Sequence, residues 1–252
     1  MRYDFSVQAR PDEYSEYFAA RRPSSVGERI HRFWNRRMLT LAGRFIPGLA
    51  SASILEVGPG LGFFAGVCRE RKLRWRGVEM NHAQAQALQA QGFEVDAGAI
   101  PPFPPGPPVD VIWMSHVLEH APGYRDAFAM VSAAKERLEP GGRLVVIGPD
   151  VLSWRGEFWN CDWTHGFPTS LRRVEQLFGE AGLRVETARH HTATVATRGV
   201  ATLLGWILAA VPHNLLDALF TRLTGRTFAY AFMVLFGWRQ ILVVGRKPLT
   251  VS

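Results

Sequence analysis

The hydrophobic period changes several times along the chain, and each change marks an element. Ile30, Phe33, Trp34, Met38, Leu41 and Phe45 recur at helical spacing until Pro47-Gly48 closes the run. Before it, Pro11-Asp12-Glu13 opens a shorter helix with acids in its first turn. Tyr14, Tyr17 and Phe18 share its apolar face, and Arg21-Arg22-Pro23 ends it. The period then shortens. Apolar runs at 53–57, 75–79, 93–95, 109–114, 143–148, 183–187 and 241–244 read as strands. Helical patterns lie between them, from 63 onward and at 83–91, 124–138 and 169–181; Gly92 and Gly182 stop two of these. Strands alternating with helices predict an α/β fold with a largely parallel sheet covered on both faces.

A length of 252 residues suits one domain with appendages, and 47% apolar against 20% charged residues describes a chain that buries a core. The net charge of +7 is unevenly spread. Residues 1–50 carry nine basic against five acidic side chains, 51–188 thirteen against sixteen, and 189–252 seven against one. Basic ends suit an anionic partner or a solvated surface. Cys68 and Cys161 are the only cysteines, which excludes a disulfide framework and a Cys-rich zinc module and suits a reducing compartment. The first residues, Met-Arg-Tyr-Asp-Phe, show no secretory apolar stretch, so a cytoplasmic location is expected.

The chemistry concentrates where the first strand ends. Gly58-Pro59-Gly60-Leu61-Gly62 followed by Phe63 is a strand-to-helix turn whose glycines allow a ligand to approach the backbone. A dinucleotide fingerprint needs glycine at 63, where this chain has Phe63, and Glu56 before the turn repels a pyrophosphate. NAD-linked reduction is therefore disfavoured. A carboxylate there suits a cationic or amine-bearing ligand. Glu79, ending the second strand, is placed to accept from ribose hydroxyls, with Met80 beside it to cover an adenine face. Asp96, after the third strand, is a candidate acceptor for an adenine amino group.

These runs resemble a known family. Ile54-Leu55-Glu56-Val57-Gly58-Pro59-Gly60-Leu61-Gly62 is similar to the first motif of class I S-adenosylmethionine-dependent methyltransferases, and Val78-Glu79-Met80-Asn81 to their acidic loop. Asp96-Ala97, the stretch from Asp110 to His120, Leu138–Leu144 and Asp162-Trp163-Thr164-His165 resemble later motifs of the small-molecule branch, over about residues 50–190. The resemblance implies a Rossmann-like, doubly wound, seven-stranded sheet with the last strand antiparallel. It implies S-adenosyl-L-methionine as cofactor, with Glu56, Gly58, Pro59, Gly60, Gly62 and Phe63 at its amino-acid end. Glu79, Met80 and Asn81 would lie at the ribose, Asp96 and Ala97 at the adenine, and Met114, Ser115 and His116 on the far wall.

His116, Glu119, His120 and His165 are the candidates for a base, with His120 and His165 taken as catalytic, His120 ahead. His165 is expected to pair with Asp162. Some quinone-pathway O-methyltransferases resemble the 116–120 stretch and hold a divalent metal with acids and a Glu-His pair. Here the first acid position is His116, and no metal is assigned.

The boundaries follow: 1–50 a helical cap, 51–190 with 239–248 the cofactor-binding core, and 191–238 a hydrophobic insert. Its apolar runs, near eleven residues each, are too short to span a bilayer, and Pro212 breaks the longest. Three roles stay open for 199–236: a lid over an apolar acceptor, a peripheral membrane contact, or a homodimer interface. The expected function is methyl transfer to a small-molecule or lipid- or glycan-linked acceptor, with oxygen as the acceptor atom. The alternatives are a nucleic-acid methyltransferase, for which no Asn-Pro-Pro-Tyr-type motif follows the fourth strand, and a non-catalytic membrane-surface protein.

Overall fold

The computed structural model describes residues 25–192, 222 and 239–249. The helix expected at 11–22 and nearly all of the insert lie outside these residues.

Helix α1 (Ser25–Gly43) precedes β1 (Ser53–Val57), α2 (Phe63–Glu70), β2 (Arg74–Glu79), α3 (His82–Gln89) and β3 (Val95–Ala97). Then come β4 (Val109–Ser115), a 3-10 turn (Leu118–His120), α4 (Tyr124–Arg137) and β5 (Leu138–Pro149). Two single-turn helices, α5 (Val151–Trp154) and α6 (Glu157–Asn160), lead to α7 (Leu171–Glu180), β6 (Arg184–Thr192) and β7 (Arg239–Arg246).

The seven strands form one sheet in the order β3-β2-β1-β4-β5-β7-β6. All pairs from β3 to β5 are parallel, and β7 inserts antiparallel between β5 and β6. The doubly wound fold with an antiparallel last strand is therefore as expected.

Strand alternation sorts side chains between two apolar layers. Leu55, Val57, Ile112, Met114, Leu144 and Val146 face α4 and α7, meeting Val131, Ala134, Leu177 and Phe178. Ile54, Val111, Trp113, Val145 and Ile147 face the other way, toward Met38 and Leu39 of α1 and Phe64 and Val67 of α2. Phe64 stacks on Trp113 with centroids 4.2 Å apart. Arg32 and Arg36 of α1 both reach Glu70 of α2, at 3.2 and 2.7 Å. Cys68 is buried in this layer.

Boundaries moved where tertiary contacts outweighed local pattern. Gly92, at φ +77°, ends the α3 segment, and the Phe93 N–H donates to the Leu88 carbonyl. Phe93 then packs edge-on against Trp75 and beneath the Arg69 guanidinium, so β3 begins at Val95 rather than at Phe93.

Candidate functional site

The glycine turn sits where β1 leaves the sheet. Gly58, Gly60 and Gly62 have φ of +65°, +53° and +75°, the left-handed region that suits glycine. The three are glycine for different reasons. A Cβ on Gly62 would lie 2.5 Å from Leu88 Cδ2, and one on Gly58 3.0 Å from Val117 Cγ2. A Cβ on Gly60 meets nothing within 4 Å, so the space over the turn is open.

Two buried carboxylates flank that opening on the same sheet face, since Glu56 is registered opposite Gly77 and Glu79 lies two residues further along β2. Oε2 of Glu79 accepts from the Gly60 N–H at 3.0 Å, and Oε1 from the Asn81 N–H at 2.9 Å. The acid at the tip of β2 thus braces the turn at the tip of β1. Burial pushes the Glu79 carboxyl up, against the pull of those N–H groups. Glu56 accepts from the Trp75 indole at 2.9 Å. The Trp75 ring reaches Glu56 by crossing Gly77, where a Cβ would stand 2.8 Å from it. Burial pushes the Glu56 carboxyl up to about 8; the indole pulls it down and the negative charge of Glu79 adds to the rise. Neither acid has an ion-pair partner among the described residues.

The other expected cofactor contacts divide. Met80 is 48% exposed next to Glu79, where it can cover a flat ligand. Asn81 is buried and its side chain caps α3 by accepting from the Gln84 N–H. Pro59 is buried against Gly77. Phe63 stacks on His31 of α1, centroids 4.7 Å apart, which lays α1 beside the turn. Asp96 falls within β3, paired with Val78, so its side chain leaves the face that carries Glu79; it forms an ion pair with Arg76 at 3.2 Å. Ala97 is exposed at the strand tip, opposite Glu79. Met114 is a correction: it was expected on the pocket wall, but the alternation of β4 turns it fully into the core beside Leu55 and Ile112. Ser115 ends β4, and His116 follows it in the left-handed region at φ +56°.

Beyond β4 the histidines form a network. His116 Nδ1 lies 3.1 Å from Oε1 of Glu119, a fully buried acid. Burial opposes charge on His116, but the Glu119 carboxylate more than offsets it and holds the imidazole above its ordinary range. Gly148 leaves room for Glu119: a Cβ there would sit 3.3 Å from Oε2, which is buried without a hydrogen-bond partner. His120 Nδ1 lies 2.7 Å from the Thr164 hydroxyl, and that hydroxyl donates to Asp162 at 2.7 Å. A hydroxyl has one proton, so His120 must donate from Nδ1, which puts its lone pair on Nε2. Burial lowers the His120 pKa, against the pull of the Glu119 and Asp162 carboxylates. Asp162 Oδ1 accepts from both the N–H and the hydroxyl of Thr164, at 2.9 and 2.7 Å, and the Asp162 carbonyl accepts from the His165 N–H at 3.3 Å. The His165 ring pairs with the Phe158 carbonyl. Ligand atoms of Glu119, His120 and His165 lie within 4.8 Å of one another, a spacing that can hold a metal ion.

Sequence reasoning missed several groups at the same end of the sheet. Trp34 of α1 lies 5.8 Å from His116 and 6.3 Å from His191, ring to ring. Asp150, fully buried after β5, lies 3.2 Å from His190 Nε2. His190 and His191 reach Asp150 and Trp34 because β7 brings β6 beside β5, a long-range pairing without a local signal.

Comparisons with known proteins agree with this geometry. A family model described as a methyltransferase domain matches residues 18–188. No curated protein sequence matches. Among solved structures, an S-adenosylmethionine-dependent methyltransferase from Archaeoglobus fulgidus is similar with a TM-score of 0.61 at 17% identity, covering 94% of this chain and 100% of that one. A chain from a complex containing the Haloferax volcanii Trm112 methyltransferase activator gives 0.65 at 16%, over 96% and 100%. Phosphoethanolamine N-methyltransferase 2 of Haemonchus contortus, in complex with S-adenosyl-L-methionine, gives 0.58 at 14%, over 93% and 60%. At such identities these three speak for the fold. Among the described residues no helix is long and apolar enough to cross a membrane.

Proposed function

Because this chain belongs to the methyltransferase-domain family, we propose that it transfers a methyl group from S-adenosylmethionine to an oxygen of a small-molecule or lipid-linked acceptor. One observation carries the cofactor assignment: Glu56 and Glu79, two buried acids without cationic partners among the described residues, flank an open glycine turn. A positively charged nucleoside fits that donor set. A pyrophosphate does not, because neither acid offers it positive charge. When bound, the cofactor supplies an electrophilic methyl on a sulfonium. Glu79, already aimed by two backbone N–H groups, is the ribose acceptor, Met80 covers the base, and Glu56 faces the cationic amino-acid end. Ala97 borders the base beside Glu79, whereas Asp96 acts through Arg76 at the sheet edge.

His120 is the general base. Thr164 and Asp162 fix its tautomer, so Nε2 is the atom that takes the acceptor's proton. His165, 4.9 Å away ring to ring, walls the same space. His116 and Ser115 line the rim toward Trp34.

A second reading has its own support. The orphaned Glu119 Oε2, with His120 and His165, forms a donor set for a divalent cation that would bind the acceptor oxygen. Chelator dialysis followed by an activity assay separates the readings: full activity without metal favours the base alone, and activity restored only by a divalent ion favours the metal.

Calorimetry with S-adenosylhomocysteine tests the cofactor assignment. Saturable binding that Glu79→Ala weakens is expected, and an undisturbed titration in that variant contradicts it. The segment 199–236, expected as a lid, a peripheral membrane contact or a homodimer interface, lies outside the described residues apart from residue 222.

A further inference from the structure

The end of the sheet opposite the glycine turn carries a cavity of about 510 Å3. The register puts three arginines in one row across neighbouring strands: Arg143 of β5 pairs with Arg246 of β7, which pairs with Arg184 of β6. Like charges placed directly opposite in a sheet are destabilising. Arg44, just after α1, adds a fourth guanidinium to the lining, and Phe45 supplies an apolar wall. The one acid in the lining is Glu186, at the β6 irregularity between Val185 and Thr187. It takes Nε and Nη2 of Arg143 at 3.2 and 3.3 Å and lies 3.6 Å from Arg246 Nε, which is buried without a hydrogen-bond partner. Arg44 and Arg184 are exposed and form no ion pair among the described residues. Four guanidiniums against one carboxylate leave three charges uncompensated in one concavity.

We propose that this cavity binds a phosphorylated small ligand through a pyrophosphate-type group. Guanidinium forks grip phosphate oxygens in pairs, and a group with two or three negative charges matches the surplus. The volume is that of a small-ligand site. The site lies the length of the parallel strands away from Glu56 and Glu79, so it stands independently of the methyl-transfer reading. A soluble diphosphate ester and a lipid with a phosphorylated headgroup share this chemistry.

The test uses the full chain with inorganic pyrophosphate in calorimetry, beside Arg44→Ala/Arg184→Ala, which removes the two rim arginines without breaking an internal ion pair among the described residues. Saturable pyrophosphate binding is expected, about tenfold or more tighter than orthophosphate and about tenfold or more weaker in the double variant. S-adenosylhomocysteine binding should be equal in both proteins, which shows that the variant is folded. Pelleting with phosphatidate-containing vesicles that the double variant loses assigns the group to a lipid; pyrophosphate binding without such pelleting assigns it to a soluble ester. No pyrophosphate binding, equal binding by the double variant, or binding of single-stranded RNA that pyrophosphate does not displace overturns the proposal.

Discussion

Glu56 makes cofactor binding a proton-linked event. In the empty protein its carboxyl is pushed to about 8 from 4.5, chiefly by burial. At pH 7 roughly nine-tenths of the molecules hold that proton, by the ordinary titration relation. A cation seated against Glu56 favours the carboxylate, so binding should expel the proton. Affinity should then rise with pH, by up to about tenfold per unit, and level off above about pH 8. Stability runs the other way. Between 4.5 and 8 the folded protein holds a proton that the unfolded chain has released, so the free energy of unfolding falls as pH rises, by up to about 1.4 kcal/mol per unit. Over the whole window the effect is on the order of 5 kcal/mol. Glu56→Gln keeps an oxygen for the Trp75 indole and removes the titration. The assay is calorimetry with S-adenosylhomocysteine at pH 7 in two buffers of different ionisation enthalpy. Wild type should release close to one proton more than the variant, whose thermal stability should also fall less between pH 6 and 8. Equal proton release by the two proteins would refute the reasoning, because it would leave Glu56 without a cation to answer.

Other outcomes follow from single contacts. Gly62→Ala forces a Cβ to 2.5 Å from Leu88 at φ +75° and should cost about 1–3 kcal/mol, read as a lowered Tm. Trp75→Phe removes the hydrogen bond that pulls Glu56 down and should move the onset of pH-dependent binding upward by about one unit, for a bond worth about 1–1.5 kcal/mol. Thr164→Val breaks the His120–Asp162 relay and should lower kcat by about tenfold or more with cofactor affinity unchanged; an unaltered kcat would remove His120 from the chemistry.

Much of the fold was legible because it rests on local pattern. The apolar runs gave the seven strands and their α/β alternation, and the glycine turn with Glu56 and Glu79 was readable from spacing alone. What escaped rests on contacts between distant segments. Trp75 looks like an ordinary strand aromatic until the register sets it on the face of Glu56, across Gly77. Phe93 looks like the start of a strand, yet it covers Trp75 and shifts β3 by two residues, which commits Asp96 to Arg76. Met114 follows the same apolar alternation as Ile112, so its place in the core was implicit in β4 while the motif pointed to the rim. Thr164 carries no signal by itself, and only the fold sets its hydroxyl between Asp162 and His120.

In the proposed complex the two strand-tip acids grip the adenosyl ligand over the glycine turn. A crystal of the full chain grown with S-adenosylhomocysteine tests it most directly. Ribose hydroxyls are expected on the Glu79 carboxylate, with the homocysteine amine toward Glu56. Density for the nucleoside elsewhere, or side chains filling the space over Gly60, would contradict it.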